Sequence, residues 1–180
     1  GNVGKTILVS HDLLPQKVFL DPSLGYNVGR NILFPSAIDA LTHAIEGFVS
    51  IIKHPLLDPI ACQAVKEILT ALRHIIDKNN HEEAIEKLCY SAYYAGIVQN
   101  HCSVGLTHSF AHQLSSLGIN HGTANAIFLE SVMEYNSNRI DLYEKLSFLC
   151  GFKSFEDFML KIRTIIEDSG ILPEKKILEK

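Results

Sequence analysis

From Phe34 onward, the apolar residues of this chain recur at helical spacing, and helix start and stop signals interrupt the pattern at regular intervals. We predict that the first helix opens at Ser36, with Asp39 three positions on as its capping-box partner, and stops at 53–55. The apolar stripe of this helix comprises Ile38, Leu41, Ile45, Phe48 and Ile52. Because such a stripe must be buried against other elements, the pattern predicts a helical core.

The same signals predict six further helices. They run from 58 to the Asn79-Asn80 pair and over about 82–100, 104–117, 122–136, 140–149 and 155–168. Before them, Thr6–Ser10 and Lys17–Asp21 are short β-favouring runs that read as strands or extended passes. The expected fold is all-α and multi-helix: an extended leader at 1–31, followed by a helical domain at 32–180.

Composition narrows the class of protein. A chain of 180 residues that is 47% apolar and 20% charged can bury the core of a globular domain. Sixteen basic against twenty acidic residues provide no electrostatic surface for nucleic acid or an anionic membrane. The four cysteines form no CxxC pair and no dense disulfide framework, so we expect a reducing, cytoplasmic location.

Two residues of the first helix suggest chemistry. Asp39 and His43 lie four positions apart, so they share one face of the helix, which Glu46 and Ser50 continue. A carboxylate and an imidazole placed in this way can bind one cation together. The alternative is that Asp39 serves the helix N-terminus and that His43 is a buried, hydrogen-bonded histidine.

A second group of histidines follows later in the chain. His101, His108 and His112 share one helical face if the fourth helix extends back to His101, and His121 heads the next helix. Ser109 stands where a zincin protease would need glutamate. One carboxylate with several imidazoles suits Fe²⁺ or Zn²⁺ with an open coordination position. A polar helical core with chance clustering of histidines remains the alternative.

Three separated segments carry a resemblance to a known family. Residues Pro35–Glu46, Ser103–Leu114 (with Ala95-Gly-Ile before it) and His121–Ile127 resemble, in order and spacing, the signature segments of the iron-containing (group III) alcohol dehydrogenases. Lys17–Pro22 resembles the segment that joins the two domains of that family. The resemblance implies a dehydroquinate synthase-like architecture, in which an α/β domain binds NAD(P) and a helical domain holds a divalent metal.

The resemblance also assigns roles to residues. It implies that the metal ligands are Asp39, His43, His108 and His121. It places His112 beside the nicotinamide, where this residue could bind and orient the cofactor or relay a proton, and it gives His101 no role. The metal, Fe²⁺ or alternatively Zn²⁺, would polarise an alcohol or aldehyde oxygen for hydride transfer.

Two departures from the family pattern bear on these expectations. The family usually has proline before the His-Gly pair, where this chain has Asn120. The glycine-rich loop of the cofactor domain is not found in the 180 residues. We therefore expect part of an oxidoreductase that is inactive alone, with a small alcohol or aldehyde as substrate and a homodimer left open. The rival expectation is an inert structural or interaction module derived from such an enzyme.

Overall fold

The computed structural model describes residues 10–114 and 117–172, apart from the side chain of residue 11. Within these residues the regular structure is helical and contains no strand, which confirms the all-α prediction. Lys17–Asp21 has no regular secondary structure, so it is not a paired strand. Most of the other β-favouring run, residues 6–9, lies outside the described residues.

The described residues form seven α-helices joined by short connections. They are α1 (Arg30–Val49), α2 (Asp58–Ile76), α3 (His81–Cys102), α4 (Leu106–Leu114), α5 (His121–Ser137), α6 (Leu142–Leu149) and α7 (Phe155–Ser169). The predicted caps of the last helix are confirmed. The Ser154 hydroxyl accepts a hydrogen bond from the Asp157 N–H at 3.2 Å, and Gly170 ends the helix with a φ of 70°.

The start of α1 differs from the prediction. The helix begins at Arg30, with Gly29 as its N-cap, and Pro35 lies inside it. Proline removes the N–H that would bond the carbonyl four residues earlier, and its ring crowds that carbonyl; burial of Pro35 accompanies this local cost. The predicted capping box of Ser36 and Asp39 is therefore wrong. Asp39 lies in the third turn of α1, where it caps nothing.

The end of α1 also differs. The helix stops at Val49, and Ile52 lies beyond it with 59% of its surface exposed. The other four members of the predicted stripe are buried, as expected of a core-facing helix. α1 packs against α2, α3 and α5 and forms the centre of the domain.

The connection between α3 and α4 determines where His101 lies. α3 continues through Cys102 and ends where Ser103 adopts a φ of 61°, and α4 begins only at Leu106. His101 therefore belongs to α3, where its exposed ring contacts the Ile97 carbonyl at 2.8 Å. The face of three histidines required the fourth helix to extend back to His101, and it does not form because the chain leaves the helix at Ser103.

One described helix is long and apolar enough to cross a membrane by length and composition. This helix is α1, and 67% of its most apolar stretch is buried inside the protein. A helix enclosed by α2, α3 and α5 has the character of a core helix.

Candidate metal centre

Three predicted ligands from two helices converge on one point. Asp39 and His43 project from successive turns of α1, and His108 projects from the first turn of α4. One potential ligand atom of each lies within 4.8 Å of the others. The imidazoles of His43 and His108 stack with ring centroids 4.5 Å apart and an angle of 13° between their planes. His108 thus joins two residues that lie 65 or more positions earlier in the chain.

His121 lies at the edge of this cluster. It is the first residue of α5, and its Nε2 is 3.4 Å from Oδ1 of Asp39. His108 Nε2 lies at the same distance of 3.4 Å from that oxygen. The structure therefore brings all four predicted ligands together around Asp39, although His121 stands outside the tight group of three.

Gly122 explains how α5 can come so close to α1. A Cβ atom at this position would lie 1.9 Å from the carbonyl oxygen of Pro35, which is far inside van der Waals contact. Only glycine lets the two backbones approach to this distance. The His-Gly pair therefore has a steric purpose: the glycine allows the approach, and the adjacent histidine arrives beside Asp39.

Asn120 replaces the proline that is usual in the family without harming the start of α5. Its side-chain oxygen accepts a hydrogen bond from the Gly122 N–H at 3.0 Å, and it serves as the N-cap of the helix. Asparagine is among the best N-cap residues. The departure therefore exchanges one helix-starting residue for another and leaves His121 at the first position of α5.

Two further polar residues belong to the centre, and sequence reasoning gave them no function. Glu46 was noted only as continuing the face of Asp39 and His43. Its carboxylate accepts hydrogen bonds from the backbone N–H groups of Gly105 (2.7 Å) and Thr107 (2.6 Å) and contacts His108 Nδ1 at 2.7 Å. No local signal reveals this arrangement, because the partners lie about sixty residues away.

Asn125 is the second residue that the sequence analysis missed. It lies one turn after His121 on α5 and is fully buried. Its Nδ2 donates to Asp39 Oδ1 at 2.5 Å and lies 3.3 Å from His108 Nε2. The same spacing of four that joins Asp39 to His43 could have indicated it, since residues four apart share a helix face.

The electrostatics of the cluster follow from its burial and its mixture of charges. Burial lowers the pKa of His43 to about 4, so this ring is neutral near pH 7. Burial alone would also lower the pKa of His108, but hydrogen bonds to Asp39 and Glu46 outweigh it and raise this pKa to about 8. Burial would raise the pKa of Asp39 and that of Glu46. The imidazoles around Asp39 hold its pKa below the ordinary value, and His108 with the two N–H donors does the same for Glu46.

His112 lies beside the cluster rather than in it. Its ring stacks on that of His121 with centroids 4.9 Å apart and 25° between planes, and it is not among the three closest residues. The ring is half-buried. This position agrees with a residue that borders the centre, and the cofactor role that the resemblance implies for it stays a prediction.

The remaining described histidines lie away from the centre. His54 accepts a hydrogen bond from the Leu56 N–H at 3.3 Å, and His81 contacts the Tyr26 carbonyl at 3.0 Å. His74 belongs to the last turn of α2. Like His101, none of these residues belongs to the group of potential metal ligands.

The donor set fits a divalent cation. One carboxylate and three imidazoles are the hard and borderline ligands that Fe²⁺ and Zn²⁺ accept, and no thiolate lies among the described ligand atoms of the group. His108 has its Nδ1 against Glu46, which leaves Nε2 directed toward Asp39. A ligating histidine whose other nitrogen contacts a carboxylate is the usual arrangement at protein metal sites.

Comparison with known proteins gives a consistent result. Residues 34–169 match the Fe-containing alcohol dehydrogenase family, C-terminal. The chain is 35% identical over 133 residues to the 1,3-propanediol dehydrogenase of Klebsiella pneumoniae, covering 73% of this chain and 34% of that protein. It is 31% identical over 134 residues to alcohol dehydrogenase 4 of Schizosaccharomyces pombe, covering 74% and 32%. The chain thus spans about a third of the length of these curated relatives.

Solved structures share the fold. The iron-containing alcohol dehydrogenase of Thermococcus thioreducens superposes with a TM-score of 0.78 at 28% identity, over 89% of this chain and 44% of that one. The sulfoacetaldehyde reductase of Bifidobacterium kashiwanohense, solved in complex with NAD⁺, gives a TM-score of 0.81 at 27% identity, over 89% and 43%. In both cases the similarity covers most of this chain and less than half of the compared protein.

Proposed function

The chain belongs to the iron-containing alcohol dehydrogenase family, and from this premise we propose that residues 32–180 are the metal-binding helical domain of an NAD(P)-dependent alcohol dehydrogenase. The observation that carries the proposal is the convergence of Asp39, His43 and His108 within 4.8 Å, with His121 against the same carboxylate. These four residues would hold the metal, for which we propose Fe²⁺, with Zn²⁺ as the alternative.

The chemistry of the site follows from its ligands. When bound, a divalent cation supplies Lewis acidity toward the oxygen of an alcohol or an aldehyde. Asp39 would contribute the negative charge that holds the cation, and the low pKa of His43 keeps that ring neutral, so that it would be available as a ligand. We propose that His112, whose ring stacks on that of His121, contacts the nicotinamide or holds a proton at the rim of the site.

The scope of the proposal follows from the relatives. They include an NADPH-dependent butanol dehydrogenase and 1,3-propanediol dehydrogenases, so a small alcohol or aldehyde is the proposed substrate class. NAD or NADP would be bound through a separate domain, and we propose a cytoplasmic enzyme. Because the 180 residues contain no glycine-rich phosphate-binding loop, we expect no alcohol turnover by this chain alone. NAD(P)-linked oxidation of an alcohol by the purified chain would contradict that expectation.

Metal binding is the direct test. The purified chain is loaded anaerobically with Fe²⁺ and, separately, with Zn²⁺, and bound metal is measured by mass spectrometry after desalting. We expect one ion per chain, and loss of it in D39A and H108A. H101A is the matched control, since His101 is an exposed histidine at the end of α3, and it should bind like the parent. An empty parent with both metals would overturn the proposal in favour of an inert structural module.

A further inference from the structure

Glu46 is the most buried acidic side chain in the part of the chain that the structure describes, with 3% of its surface exposed. A carboxylate is costly to bury unless charge and hydrogen bonds compensate it. Here the compensation comes from α4: two backbone N–H groups near its start, at Gly105 and Thr107, and one imidazole nitrogen of His108. The proposed metal-site function uses none of these contacts directly.

The local geometry is built around this carboxylate. A Cβ atom on Gly105 would lie 2.9 Å from Glu46 Oε1, so glycine lets the backbone N–H approach the carboxylate closely. The carboxylate also lies at the N-terminus of α4, where a negative charge is favourable. Glu46 therefore has one evident structural role, as a cap for α4 supplied by α1.

The contact with His108 goes beyond capping. Glu46 is an acceptor only, so Nδ1 of His108 must carry the hydrogen in their 2.7 Å contact. In a neutral ring, Nε2 then holds the lone pair, and this nitrogen lies 3.4 Å from Asp39 Oδ1 and 3.3 Å from Asn125 Nδ2. The lone pair is thus directed to the point where the predicted ligands converge.

We propose that Glu46 is a positioning residue that fixes His108 in the Nδ1–H tautomer, so that its Nε2 is available to a divalent cation. The inference rests on the proposed metal site and adds to it a residue outside the ligand set. Carboxylate partners of ligating histidines orient the ring and strengthen it as a ligand, and their loss typically weakens metal binding by 10- to 100-fold.

E46Q tests the tautomer directly. The glutamine oxygen can still accept from the Gly105 or Thr107 N–H group, and its amide then presents N–H to His108 Nδ1. That hydrogen bond favours the opposite tautomer, with the hydrogen on Nε2, as a comparable carboxylate-to-amide change does in serine proteases. In the metal-free parent at pH 9, two-bond ¹H–¹⁵N spectra should show Nδ1–H for His108, and in E46Q they should show Nε2–H.

Metal affinity provides the second readout. Kd for Zn²⁺ is measured by competition with a chromophoric chelator in the parent, in E46Q and in E67Q. Glu67 is the matched control because it is a half-buried glutamate on α2 whose carboxylate accepts from Ser91 at 2.9 Å. We expect Kd to rise roughly 10- to 100-fold in E46Q and less than twofold in E67Q.

The tautomer measurement separates positioning from capping. A positioning role predicts that E46Q both weakens Zn²⁺ binding and changes His108 to the Nε2–H form. A capping role predicts weaker binding with His108 still in the Nδ1–H form, and this result would overturn the proposal. An Nε2–H tautomer in the parent would overturn it without any variant. A parent that binds no Zn²⁺ or Fe²⁺ contradicts the proposed function instead, and the tautomer measurement still decides the role of Glu46.

Discussion

The contact between Gly122 and Pro35 is the feature of the centre that is most sensitive to a single methyl group. In G122A, the new Cβ would stand 1.9 Å from the Pro35 carbonyl oxygen and 2.4 Å from its carbon. Both contacts are with backbone inside α1, so no side chain can rotate away. Ordinary van der Waals contact begins at 3.4 Å, and the start of α5 must therefore move from α1 by about 1.5 Å.

This displacement has two measurable consequences. Overpacking of a close backbone contact costs about 1–3 kcal/mol in the free energy of unfolding, beyond the gain of up to about 1 kcal/mol that alanine brings to a helix. His121 moves with α5, away from Asp39, whereas ligand distances at metal sites tolerate only about 0.2 Å. We therefore expect G122A to unfold at lower urea concentration than the parent and to bind Zn²⁺ at least about tenfold more weakly.

G96A is the matched control. Gly96 lies within α3, and a Cβ atom there would meet nothing within 4 Å. The same substitution should stabilise the chain by about 0.5–1 kcal/mol and leave metal affinity unchanged. Urea unfolding followed by circular dichroism and chelator competition for Zn²⁺ measure both quantities. A G122A variant with the stability and the metal affinity of G96A would refute the steric argument.

Three further predictions concern the start of α5 and His108. N120A removes the N-cap of α5 and should lower the free energy of unfolding by about 1 kcal/mol in urea titrations, whereas an unchanged midpoint would show that the cap hydrogen bond is dispensable. In the metal-free chain the pKa of His108 is raised from 6.5 to about 8, so its contribution to stability is complete below pH 6.5 and is lost as the pH rises through 8, by at most about 2 kcal/mol. The lowered pKa of His43 changes stability in the opposite direction near pH 6, so the loss is measured between pH 7 and pH 9. Urea unfolding should show it in the parent and not in H108N. Because a proton competes with the cation for His108, Kd for Zn²⁺ should rise as the pH falls below about 8, and a pH-independent Kd between 6 and 8 would exclude His108 as a ligand.

Much of the fold could be predicted because its signals are local. The last helix is an example: Ser154 and Gly170 stand at its two ends, and each acts on backbone groups within a few residues. The start of α1 could not be predicted in this way. Pro35 and Ser36 are good helix-starting residues, yet the chain is already helical from Arg30, since burial of Phe34 and packing of Leu33 against the core outweigh the local preference.

In the candidate site, too, local features could be predicted from the sequence and long-range contacts could not. Helical spacing and residue types alone predicted the candidate ligands and most of their positions. They placed Asp39 and His43 on one face of α1, His108 on a later helix and His121 at the start of α5. It left open whether His101 shares a face with His108 and His112, because the break at Ser103 depends on the positive φ of one residue, and the composition of the segment does not indicate it.

The packing of the helices determines which of these groups meet and which other residues contact them. Glu46 reaches His108 across 62 positions of the chain, and Asn125 reaches Asp39 across 86. Periodicity reports which side of a helix is buried, but it does not report which helix lies opposite or at what depth. The neighbours of each helix are set when α1, α4 and α5 pack together. At Gly122, the close approach of α5 to α1 requires the absence of one methyl group.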